Sequence, residues 1–163
     1  MPAPLCGVGI DEGISEQILP PGSSVSVDSE LEEPGAGYLR AVGGCTVDVD
    51  GSGAVHIDVR PSRRGGLAPG AEGYLNPRDP RHRADDAQQV ADGPHELLVW
   101  RDYAVLHATC VSSPDFEFTG INLAVRLDWL DPFDDYHDEL EAFIQPFAEE
   151  FLAALPPGTC DLA

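Results

Sequence analysis

The sequence predicts an α+β domain: an antiparallel sheet of five to six short strands, one long C-terminal helix packed on it, and two disulfides. Three observations lead there. Apolar residues alternate with polar ones over several short runs, the period of a half-buried strand. From Asp131 to Leu155 the pattern changes to three- and four-residue spacing, the period of a helix. Four widely spaced cysteines, Cys6, Cys45, Cys110 and Cys160, form an even set with no C-x-x-C pair among them.

In chain order, residues 11–19 read as a short helix with Ile14, Ile18 and Leu19 on one face, stopped by Pro20-Pro21-Gly22. Ser24 to Leu31 alternates, with Val25, Val27 and Leu31 on one side. Tyr38 to Val49 and Ala54 to Arg60 form the clearest hairpin, because Val47 and Val49 alternate with Asp48 and Asp50 while Val55, Ile57 and Val59 alternate with His56 and Asp58. Asp50-Gly51-Ser52-Gly53 supplies the positive φ angles of a tight turn. Leu97 to Trp100 is a further strand, followed by a turn at Arg101-Asp102. Tyr103 to Val111 and Phe116 to Trp129 pair across Ser112-Ser113-Pro114-Asp115. The final helix is expected to start at Asp131-Pro132, with Phe133, Tyr136, Leu140, Phe143, Phe147, Phe151 and Leu155 as one buried stripe. Asp134, Asp135, Asp138 and Glu139 suit its N-terminal dipole. Pro146 is expected to kink or split it after about Ile144.

The 163 residues fit a single domain, 1–163. Segment 61–94, rich in Gly, Pro and Arg, reads as a long loop or linker between two halves, 1–60 and 95–163. The halves resemble each other weakly, each with one hairpin and two cysteines. The chain has 29 acidic residues against nine basic ones, all arginine, for a net charge of −20. That sign repels phosphate backbones and anionic lipid, so neither nucleic acid nor a membrane surface is an expected partner. No apolar run reaches the ~20 residues of a membrane span, and the first residues lack the pattern of a signal peptide. An exported protein of this sequence would carry its targeting segment or anchor upstream. From position 60 to 83 the charge reverses: Arg60, Arg63, Arg64, Arg78, Arg81 and Arg83 face only Glu72 and Asp79, a local +4 that leaves −24 on the rest. This arginine segment is the candidate partner-binding loop, meeting either an acidic partner or the protein's own acidic helix.

Four cysteines allow three connectivities. Cys6–Cys45 and Cys110–Cys160 are favoured, each bridge lying within one half, and imply an oxidising compartment. Chemistry-bearing motifs are weak. Asp134-Asp135-x-x-Asp138 matches an acidic magnesium–diphosphate motif, but in a β-rich chain without nearby bases a solvated helix face is the expectation. Asp48-x-Asp50-Gly51 begins like a calcium loop, yet Val59 stands where the bidentate glutamate belongs. His137-Asp138-Glu139-Leu140 is an internal retention tetrapeptide without meaning there. The histidines (56, 82, 95, 107 and 137) lack metal-ligand spacing. No catalytic residue, metal site or cofactor is expected.

Leu5-Cys6-Gly7, Ile18-Leu19-Pro20, Cys45 before an Asp-Gly turn, Trp100, Ala104-Val105-Leu106 leading to Cys110, and a closing helix ending at Cys160 together resemble small extracytoplasmic proteins of actinobacteria of the Streptomyces type, secreted or held by a lipid or membrane anchor. The resemblance covers most of the chain outside 61–94. It implies disulfides and an extracytoplasmic location, and no activity. Cys6 lacks a lipobox before it, so it reads as a disulfide partner and not a lipidation site. The function expected is therefore non-catalytic binding in the cell envelope. The alternative is an acidic inhibitor or immunity-type protein capping a basic secreted enzyme or toxin. A third reading is a hydrolase with an unrecognised carboxylate pair.

Overall fold

The computed structural model describes residues 4–29, 31, 43–63, 86–90, 93–111, 118–155 and 160. Seven strands form one antiparallel sheet: β1 (Val25–Ser29), β2 (Gly43–Val49), β3 (Ser52–Ser62), β4 (Gln88–Val90), β5 (Glu96–Val99), β6 (Tyr103–Thr109) and β7 (Gly120–Leu127). Their order in the sheet is β1-β2-β3-β7-β6-β5-β4. Among the described residues two helices accompany it, α1 (Glu12–Glu16) and α2 (His137–Ala153). The α+β architecture is as expected, with one strand more than the upper count. The additional strand, β4, lies inside the segment read as a loop. Gln88-Gln89-Val90 carries no apolar alternation, and only its pairing with Leu97–Val99 makes it a strand.

The β2–β3 hairpin turns on Asp50 (φ 52°) and Gly51 (φ 81°), a two-residue connection of the type that right-twisted strands favour. Asp50 sits in the left-handed region because its carboxylate is used there. Oδ1 accepts from Ser23 N, Ser23 Oγ, Ser24 N and Ser24 Oγ at 2.9–3.1 Å, tying the turn to the start of β1. These hydrogen bonds favour the ionised form and lower the Asp50 pKa, those from the serine hydroxyls most. A register shift between Val47 and Asp48 lets Ala54 join Val55 on the buried side. Continued pairing of β3 with β7, from Val55↔Leu127 to Ser62↔Gly120, joins residues before position 62 and after position 95 in one sheet.

One face of the sheet carries the core. Val47, Val55, Ile57, Val59, Leu97, Leu106, Leu123 and Val125 enter one core, in which α2 packs on β5, β6 and β7. From α2, Leu140, Phe143, Ile144, Phe147, Phe151 and Leu152 meet them. Phe143, Phe147 and Phe151 follow at four-residue spacing, with ring centroids 5.5 and 6.5 Å apart. Each such burial contributes about 1.5–3 kcal/mol. Both disulfides, Cys6–Cys45 and Cys110–Cys160, lie on this face. They enclose spans of 39 and 50 residues and stabilise by about 4 kcal/mol each in the chain-entropy account. The first pins the segment leading to α1 onto β2; the second pins the tail beyond α2 onto the end of β6.

The last helix departs from expectation twice. Pro146 does not split it: α2 runs unbroken from His137 to Ala153. It also begins six residues later than Asp131. Arg101, in the β5–β6 turn, donates through Nη1 to the carbonyls of both Asp131 and Asp134, 3.1 Å each, and accepts from Tyr136 N at 2.9 Å. Those carbonyls bond outward to a guanidinium, so the chain makes a turn first. Phe133 consequently leaves the buried stripe and is 98% exposed. No helix among the described residues is long and apolar enough to cross a membrane.

Candidate functional site: the polar face of the sheet

The face away from α2 is where charged and polar strand residues collect. Directly paired residues in antiparallel strands share a face. The register therefore aligns Glu96, His107, Asn122 and Arg60 in one row across β5, β6, β7 and β3. A second row holds Leu98, Val105, Ala124 and Asp58, and a third Tyr103, Arg126, His56 and Thr46. The alternation that buries Val55, Ile57 and Val59 on one side puts His56, Asp58 and Arg60 on the other.

The centre of this face is buried although polar: His107 is 3% exposed and Asn122 4%. His107 Nδ1 donates to Asn122 Oδ1 at 2.5 Å. The amide oxygen can only accept, so Nδ1 is the donor of this bond. The ring lies over Gly120. A Cβ there would stand 2.3 Å from His107 Cε1 and 2.7 Å from Nε2, so this position requires glycine for the close approach of the imidazole. A histidine held this way is oriented, as a general base would be, but it is sealed from solvent.

Around the centre the polar groups satisfy one another. Arg126 Nε and Nη2 donate to the two Asp128 oxygens at 2.7 and 3.0 Å, which raises the Arg126 pKa. Thr46 Oγ1 meets His56 Nδ1 at 3.2 Å. Trp100 and Tyr103 pack at a tilt, centroids 5.4 Å apart, in a cluster with Val105 and Ala124, with Leu98 and Ala87 against it. On the helix side, His95 Nε2 is buried without a partner. It borders a cavity of about 10 Å³ lined by Leu97, Leu106, Gln145 and Glu149, too small for an organic ligand. Burial lowers the His95 pKa, against the opposing pull of Glu149.

The predicted arginine loop is divided by the structure. Arg60 is a strand residue, in β3 beside Asn122, because β3 extends through Pro61 to Ser62. Pro61 is tolerated there because its missing N–H is one the β7 ladder does not need. Arg63 follows directly, its guanidinium 5.5 Å from the centroid of the Phe118 ring. Arg64, Arg78, Arg81, Arg83 and His82 lie outside the described residues, as does the expected strand stretch 38–42. Arg101 is the arginine that sequence reasoning missed; its signal would have been a lone base in a turn ahead of an acidic stretch. All four cysteines are bridged. Among the described residues, no group of three His, Cys, Asp or Glu side chains is placed to hold a metal ion. Asp50, the second acid of the calcium-like motif, spends its carboxylate on Ser23 and Ser24 instead.

Comparison of the chain with protein-family models, with curated proteins and with solved structures gave no match, so the residues themselves carry the functional argument.

Proposed function

We propose that this chain is a non-catalytic, extracytoplasmic binding domain of the cell envelope whose partner is a basic protein. The observation that supports it is a strongly acidic surface carried on a frame locked by two disulfides. Two cystines packed into the core suit an oxidising compartment. A net charge of −20 on a chain of this size steers association with basic partners and repels acidic ones. The polar face favours recognition over turnover: His107 is buried against an amide, Arg126 is engaged by Asp128, and Thr46 meets His56.

An acidic inhibitor capping a basic secreted enzyme or toxin is the form of this reading that the charge favours most. The test is retention by the immobilised protein of basic proteins from the secreted fraction of the producing organism. One basic protein held at low salt and released at high salt is the expected outcome. Retention that salt does not change would sink the proposal.

A further inference from the structure

We infer that Phe133 is the anchor by which this domain docks, and that its partner presents an apolar pocket rimmed by arginine or lysine. This rests on the proposed binding function and deepens it. Scattered apolar residues on a surface need no explanation, but Phe133 differs in how it is held. It is 98% exposed, while Trp129, Leu130 and Tyr136 on either side of it pack onto the core. The turn beneath it is built from five hydrogen bonds. Asp134 N donates to Asp131 O at 3.1 Å and Asp131 N to Asp134 Oδ2 at 3.0 Å. Arg101 Nη1 reaches both Asp131 O and Asp134 O, and Tyr136 N donates to Arg101 O. Pro132 fixes one further dihedral. Trp129 and Tyr136 close the base edge-to-face, with centroids 5.2 Å apart.

A ring presented on a rigid turn loses little conformational freedom on binding, which is the property of an interface anchor. The charge around it selects the partner. Asp131, Asp134 and Asp135 flank the ring in sequence, and Asp138 and Glu141 line an open groove at the start of α2. Asp135 is held ionised, since the hydrogen bond from the His137 side chain lowers its pKa. An aromatic inside an acidic rim fits an apolar pocket inside a basic rim. A second copy of this chain, itself at −20, fits poorly.

The experiment uses the full chain, wild type and Phe133→Ala, with two probes: the cation-exchange fraction of the producing organism's secreted proteins, and polyarginine as a probe of charge alone. Phe133 touches little, so circular dichroism should show the variant folded as wild type. Expected is a basic protein bound by wild type and released by 0.5 M salt, with its purified form binding Phe133→Ala at least ~30-fold more weakly, about 2 kcal/mol. Polyarginine should bind both equally. If the basic partner binds Phe133→Ala as tightly as wild type, the anchor is wrong and the binding function stands. If no salt-sensitive basic partner is retained, both fall. If wild type self-associates and Phe133→Ala does not, the occupant is a second copy and the proposal is overturned.

Discussion

On the helix side of the sheet, Val55, Ile57, Val59, Leu123 and Val125 are buried in the same core as Phe143, Phe147 and Phe151. On the other side, the alternate residues of the same strands are His56, Asp58, Arg60, Asn122 and Arg126. Both faces exclude water at their centres, by different means. The first does it by apolar area, which is additive and tolerant of small repacking. The second does it by pairing polar groups, which is all-or-nothing: a buried donor is either satisfied or costly. Thus the helix side should dominate stability, while the outer side should be the more sensitive to the identity of single atoms.

The largest expected effect lies on the helix side. Phe147→Ala should destabilise by about 3–5 kcal/mol in urea unfolding, through lost transfer energy and the cavity left under α2. A loss under 1 kcal/mol would mean that α2 does not form the core with the sheet. The outer face comes next. Asn122→Ala leaves His107 Nδ1–H buried without its acceptor and should cost about 1–3 kcal/mol. Adding His107→Leu should recover part of that loss, since the Nδ1 donor that lost its acceptor is then gone. A double variant worse than the sum would show that His107 holds more of this face than Asn122 does.

The smallest effect is a pH dependence at the border of the helix layer. Burial lowers the His95 pKa below its ordinary 6.5, so the folded state prefers the neutral ring. The unfolded chain then binds a proton first as pH falls. Stability from this group is complete above 6.5 and is lost as pH drops from there through the lowered value. His95→Gln should flatten that stretch of a Tm-against-pH curve. An unchanged slope would place the titration in another group.

Much of the fold was legible because it is local. Alternation along β2, β3 and β7, and the four-residue repeat from Leu140 to Phe151, state their own periods. The favoured cysteine pairing matches the bridges found, as expected when each covers one stretch of the chain. β4 was not legible, because a strand of two glutamines and a valine exists only through its neighbour. Nor was the delayed start of α2: Asp131-Pro132 is a sound helix beginning until Arg101, thirty residues away, takes the carbonyls. The polar face was half legible. His107 could be placed opposite the apolar set by alternation, but its burial and its pairing with Asn122 depend on the β6–β7 register.

The sequence by itself determined most element types, the acidic charge and an even cysteine set with a favoured pairing, since each follows from residue spacing or count. Only the tertiary structure decided that β3 joins β7, so that Arg60 stands in the row of Asn122, His107 and Glu96. It alone turned Phe133 from a core residue into an exposed ring. The physical reason is the same in both cases. Strand pairing and a guanidinium between two carbonyls are contacts between distant residues, and no local period encodes which distant partner a backbone group will find.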